Sequence, residues 1–94
     1  MGTETRKLGD LISIGAAMLR DFEQLGISSV AQLAREHPRR LYRRLNRSTG
    51  QRHDICVLDA FSAAIAQARN PRLEREKSEW WYWNRKRKAR DATR

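Results

Sequence analysis

The chain has 94 residues, 33% of them charged, and a formal net charge of +9. That length suits one domain with a small core, hiding about 60–65% of its unfolded surface. The only cysteine, Cys56, excludes an intrachain disulfide, and with His37 and His53 it supplies no zinc ligand set, so neither metal nor cofactor is expected. There is no run of about 18 apolar residues and no apolar stretch of signal-peptide type at the start, which predicts a cytoplasmic protein with no membrane partner.

Positive charge is concentrated in two places. Residues 1–34 hold Arg6, Lys7 and Arg20 against Glu4, Asp10, Asp21 and Glu23, a net of −1. Residues 35–53 hold seven arginines against Glu36, a net of +6, and residues 54–69, with Asp54, Asp59 and Arg69, return to −1. Residues 70–94 hold nine Lys or Arg against Glu74, Glu76, Glu79 and Asp91, a net of +5. One central segment and one tail thus carry the excess, the pattern of a polyanion-binding protein, with nucleic acid the usual polyanion.

In chain order, residues 1–5 are polar and are expected to be disordered. Residues 6–11 predict a short helix, with Leu8, Leu11 and Ile12 facing the core. Next, Met18, Phe22 and Leu25 fall at i, i+4 and i+7, which predicts an amphipathic helix over residues 15–25. Gly26 suits the left-handed C′ position, and Ser29 with Gln32 fits a capping box that starts a helix over residues 30–36. Pro38 is tolerated at a first helical position, where its missing N–H has no partner to lose. The helix it opens, over residues 38–46, turns Leu41, Tyr42 and Leu45 inward. Arg39, Arg43 and Arg47 fall at i, i+4 and i+8 on the opposite side, beside Arg40 and Arg44.

Residues 46–53 (NRSTGQRH) have the composition of a loop. Residues 54–69 predict the longest helix, with Ile55, Leu58, Phe61, Ile65 and Ala68 as its core face. Asn70-Pro71 ends it, and residues 72–79 form a charged stretch able to make one or two helical turns. Trp80-Trp81-Tyr82-Trp83 follows, and residues 84–94 read as a flexible basic tail. The folded domain is therefore placed at residues 6–83.

The order Leu11-x-x-Ile14-Gly15, an amphipathic helix, and Leu25-Gly26-Ile27-Ser28-Ser29-Val30-Ala31-Gln32-Leu33 resembles a helix-hairpin-helix motif. With residues 38–45 and Cys56-Val57-Leu58-Asp59-Ala60-Phe61 added, residues 8–69 are similar to small bacterial helix-hairpin-helix proteins of the pathogenicity-locus or mitomycin-resistance type. The resemblance implies an all-α, compact five-helix helix-hairpin-helix (SAM-like) domain with a basic C-terminal tail. It also implies a hairpin that, across the wider superfamily, binds the DNA backbone without reading sequence, and it hints at DNA repair or resistance to DNA-damaging drugs. The superfamily turn usually reads Leu-Pro-Gly-Ile-Gly; here Ile12 and Ser13 replace the proline and the first glycine.

Several groups are candidate nucleic-acid contacts. Backbone donors around Ser13, Gly15, Ala16 and Ala17 either hold a phosphate at a helix start or form a structural corner. Arg39, Arg40, Arg43, Arg44 and Arg47, with Arg52, either contact phosphates or form a solvated face. Arg85, Lys86, Arg87 and Lys88 extend the set into the tail. The aromatic cluster either widens the core or stacks on bases and partners. Cys56, beside His53 and Asp54 at a helix start, invites a nucleophile reading, but no oxyanion site accompanies it and a buried structural cysteine is the simpler account. The sequence is read as a non-enzymatic, sequence-independent DNA-binding protein. The alternative is a protein-interaction adaptor using the hairpin surface and the Trp cluster.

Overall fold

A helix that is apolar around most of its circumference has to be surrounded, and the longest helix of this chain, α4 (Cys56–Arg69), is of that kind. Leu58, Phe61, Ala63, Ala64, Ile65 and Ala68 are all buried. The other helices are α1 (Ala16–Gln24), α2 (Val30–Ala34), α3 (Pro38–Thr49) and α5 (Trp80–Ala92), with short 3-10 turns at Leu8–Asp10 and Arg75–Ser78. The structure, a computed structural model, describes residues 4–92. Residues 1–3 of the expected disordered N-terminus and residues 93–94 of the tail lie outside the described residues. Among the described residues the fold is all-α, with five helices and no strand.

α2, α3 and α5 pack against α4. Phe22 of α1 stacks on Phe61 with ring centroids 5.7 Å apart. Leu33, Leu41 and Leu45 have no exposed surface and complete the core. Gly26 has φ +79 and ends α1: Gly26 N–H donates to the Glu23 carbonyl (3.1 Å) and Ile27 N–H to the Phe22 carbonyl (2.8 Å). These two bonds make a Schellman closure, with Ile27 buried behind it. The cap at Ser29 forms through its side chain, which accepts from Gln32 N–H at 3.1 Å. The Gln32 amide oxygen, however, turns to Ser28 (2.6 Å to its N–H) rather than back to Ser29.

Several boundaries differ from the sequence-based expectation, each for a local reason. Residues 6–11 form only a 3-10 turn over Leu8–Asp10. α3 continues to Thr49 because the Ser48 and Thr49 hydroxyls bond back to the Leu45 carbonyl (3.1 and 2.9 Å), and Gly50, at φ +66, ends it. α4 starts at Cys56, which leaves Ile55, expected in the core, 39% exposed. Residues 84–92, expected as a flexible tail, continue α5.

That continuation has an identifiable cause. Asp59 is 1% exposed, in the middle of the apolar α4. A carboxylate so placed needs compensation. It accepts from Asn84 Nδ2 (2.9 Å), Arg87 Nε (2.9 Å) and Arg87 Nη2 (3.1 Å), all supplied by α5. A second polar tie fixes the N-terminal turn. The Gln67 amide accepts from Ile12 N–H (2.7 Å) and donates to the Ile12 carbonyl (2.8 Å), while Arg6 donates to the Gln67 and Ala68 carbonyls at the end of α4.

Replacing Arg87 leaves the Asp59 carboxylate buried with only an amide donor. Arg87→Ala is expected to destabilise the fold by about 3 kcal/mol, the usual cost of removing one partner from a buried pair. The midpoint of a urea titration followed by circular dichroism measures it.

Candidate nucleic-acid interface

α3 divides its surface as its periodicity demands. Leu41 and Leu45 face α4 with no exposed surface, while Arg39, Arg40, Arg43 and Arg47 are exposed and meet no acidic side chain among the described residues. Arg44 does not belong with them. Its Nη1 lies 3.2 Å from the Glu36 carboxylate, and its Nη2 donates to the Leu25 carbonyl at 2.8 Å. It bridges α3 to the ends of α1 and α2 and is a fold residue. Arg52 is exposed in the segment after Gly50. That segment is held from within: His53 N–H donates to Asn46 Oδ1 (2.8 Å), Thr49 Oγ1 lies 2.9 Å from His53 Nε2, and the Tyr42 hydroxyl donates to the His53 carbonyl.

Beside the start of α3 lies a groove of about 550 Å³, walled by α3 and α5 and floored by α4. Leu58, Ile65 and Ala66 form its apolar floor, and Trp83 stands in the α5 wall. Arg39, Arg69, Lys86, Arg87 and Arg90 line it, against Asp59 as the one carboxylate. Arg87 is committed to Asp59, which raises its pKa further, and Arg69 to the Ala34 and Glu36 carbonyls (2.9 and 2.8 Å). Lys86 is held differently, by aromatic faces, with its ammonium 5.6 Å from the Tyr82 centroid and 5.7 Å from that of Trp83. A cation held over rings keeps its full charge available. His37, the N-cap of α3, offers no side-chain cap to the helix, so the positive end of the α3 dipole opens on the same groove.

The corner at residues 13–17 is built of a different set. Ser13 has φ +69, the left-handed region that glycine adopts most readily. Its hydroxyl donates to the Glu79 carboxylate at 3.0 Å. Gly15, Ala16 and Ala17 are exposed at the start of α1, no side chain caps that helix, and a Cβ at Gly15 meets nothing within 4 Å. A phosphate approaching this corner meets free backbone donors and also a neighbouring carboxylate. The corner adjoins Glu79, just before α5, while the groove is lined by α5 from Trp83 to Arg90.

The remaining sequence candidates are distributed along α5. Tyr82 and Trp83 are half-buried, and the Trp83 indole donates to the Lys77 carbonyl at 2.8 Å, so half of the aromatic cluster widens the core. Trp80 and Trp81 remain 41% and 38% exposed, with the Arg85 guanidinium 4.7 Å above the Trp81 ring. Arg85 also lies 3.7 Å from Glu76, and Lys88 is exposed. Asp59, Asn84 and Arg69, which organise the groove, carry a weaker sequence signal. Asp59 is the one acid within an otherwise apolar helix, a placement that itself marks a partnered carboxylate.

The neighbourhood of Cys56 opposes thiolate chemistry. Its hydrogen bond to Asp54, then burial, then the negative charges of Asp54 and Asp59 push its thiol above the ordinary range, the reverse of what a helix start alone would do. Asp54 is itself held below the usual carboxylate value by the Cys56 backbone N–H, which reaches its Oδ1 at 2.8 Å. Among the described residues no cluster of His, Cys, Asp or Glu could hold a metal ion, and no helix is long and apolar enough to cross a membrane.

An all-α domain of five helices, with a cation-lined groove along its longest helix, is the class that these elements define. The chain belongs to the pathogenicity-locus family, whose family model matches residues 2–89. It is 36% identical over 81 residues to the mitomycin resistance protein McrB of Streptomyces lavendulae, an alignment covering 86% of this chain and 73% of that protein. The name of that relative links the family to drug resistance. No solved structure matches the chain.

Because a raised pKa lowers the thiolate fraction at any pH below it, Cys56 is expected to react with a disulfide reagent more slowly than free cysteine at pH 8. The difference should shrink as the pH climbs through the raised value. A stopped-flow rate series between pH 7 and 10 reads both.

Proposed function

We propose that this protein is a non-enzymatic, cytoplasmic DNA-binding protein that grips the phosphate backbone without reading base sequence. The observation that carries this reading is convergence. Two cationic segments remote in sequence, residues 35–53 and the end of the chain, meet at one groove. There Arg39 faces Lys86 and Arg90, and Arg40, Arg43 and Arg47 continue the charge along α3. Backbone contacts of this kind position a protein on nucleic acid without specifying sequence. In this reading residues 8–33 are a helix-hairpin-helix unit. Its corner at Ser13, Gly15, Ala16 and Ala17 is a weaker contact than the α3 face, because the Glu79 carboxylate holds the Ser13 hydroxyl and repels an incoming phosphate. Arg52, Arg85 and Lys88 lie at the margins, and Arg44 and Arg87 support the surface from beneath. The drug-resistance link of the Streptomyces relative fits a role in tolerating or repairing damage to DNA.

A second reading, a protein-interaction adaptor, draws support from Trp80 and Trp81, which are exposed on the first turn of α5 beside the Glu79-bound corner. Reversing two α3 charges separates the readings, since neither Arg40 nor Arg43 is committed to the fold.

With about six phosphates engaged, log K is expected to fall against log salt with a slope near −5. The double variant Arg40→Glu/Arg43→Glu should lose about tenfold or more in affinity at low salt, with a shallower slope and an unchanged melting temperature. Fluorescence anisotropy on labelled DNA at several salt concentrations measures both. No affinity at 50 mM salt, or affinity indifferent to salt, overturns the proposal in favour of the adaptor.

A further inference from the structure

We infer that the groove between α3, α4 and α5 receives one unpaired nucleotide of a bound strand, so that the protein prefers single-stranded over duplex DNA. This rests on the backbone-binding reading and adds to it a seat for a base. Cations alone do not explain the groove. A surface that only tracks phosphates needs no cavity, yet this one has a volume of about 550 Å³, in the size range of small-ligand sites. Its floor carries an apolar strip, Leu58 and, two turns on along α4, Ile65 and Ala66, with Ser62 and the paired Asp59 between them, and an indole stands at its wall. That combination suits a flat, weakly polar body joined to a negative group, which is the chemistry of a nucleotide. The base covers the α4 floor beside Trp83, and its phosphate meets Arg39 and Lys86 at the rim.

The placement of Arg39 gives the strand a route. It is the first exposed residue of the α3 stripe and also a wall of the groove, so a backbone followed along Arg47, Arg43 and Arg40 arrives at the mouth. Lys86 is held by the faces of Tyr82 and Trp83 rather than by a carboxylate, so it meets a phosphate without first breaking an ion pair. Paired bases present only their edges, and to enter a cavity of this size a base must leave its stack. A single strand has nothing to unpair, and base contact with aromatic and apolar side chains then adds to its affinity.

The test compares three ligands of equal length on the full chain: a 12-residue oligothymidylate, a 12-residue abasic strand with the same phosphates, and a 12-base-pair duplex. Oligothymidylate is expected to bind about tenfold more tightly than the abasic strand, as one seated base provides, and more tightly than the duplex. It should also change the intrinsic tryptophan fluorescence in a way the abasic strand does not. Ala66→Phe fills the floor without altering charge. It is expected to abolish the preference for oligothymidylate over the abasic strand while leaving abasic and duplex affinities within about twofold, since phosphate contacts carry the sequence-independent term. Equal affinity of the unaltered protein for oligothymidylate and abasic strand overturns the inference and leaves backbone binding standing, whether or not Ala66→Phe folds. Thymidine monophosphate bound more tightly than the strand overturns the assignment to a strand. Failure of all three ligands to bind at low salt overturns the backbone reading itself, and the nucleotide seat with it.

Discussion

The α5 wall of the groove depends on a carboxylate placed where a carboxylate is costly. Asp59 sits at the centre of α4 with 1% of its surface exposed, and an uncompensated charge there would oppose folding strongly. Its compensation comes from one element, through the Asn84 amide and the forked Arg87 guanidinium. That requirement draws α5 onto α4 alongside α3. Without it, a helix with no fully buried residue and five Lys or Arg between Arg85 and Arg90 would be held to α4 chiefly by the half-buried Tyr82 and Trp83. The groove exists because α3 and α5 both pack against α4, and α5 is tied there by charge.

The cations fall into two groups with different work. Arg6, Arg44, Arg69 and Arg87 point inward or across, ending helices and tying elements together by donating to carbonyls or to a single carboxylate. Guanidinium suits this role because several donors in one plane can satisfy two acceptors at once. Arg39, Arg40, Arg43 and Arg47 stay on the outside of α3. A chain with this excess of positive charge spends part of it on its own architecture, and what remains for a partner is smaller and better placed than composition suggests.

Much of this architecture was legible in residue order. The period of Met18, Phe22 and Leu25, the stop at Gly26, the cap at Ser29, the proline start at Pro38 and the apolar run of α4 each follow from local rules, and the structure carries them all. The all-α class and the family resemblance were legible too. The end of α3 was not, since Ser48 and Thr49 read as loop residues until their hydroxyls find the Leu45 carbonyl. The helical course of residues 84–92 was hidden for the same kind of reason: it depends on Asp59, 28 positions before Arg87. Which arginines are committed and which are exposed also lies beyond periodicity. Arg40 and Arg44 share a helix face, yet only Arg44 reaches Glu36 and Leu25. The groove is a tertiary product of α3, α4 and α5, and no single segment announces it.

The bond between Asp59 and α5 also sets a thermodynamic coupling. Cations that converge only when α5 is docked are scattered when it is not, so any anion spanning Arg39 and Lys86 binds the docked form in preference. By linkage, such a ligand raises the stability of the docked helix in proportion to the logarithm of its concentration. A buried acid thus secures α5 from inside, and a polyanion bound across Arg39 and Lys86 would secure it from outside, each reinforcing the other.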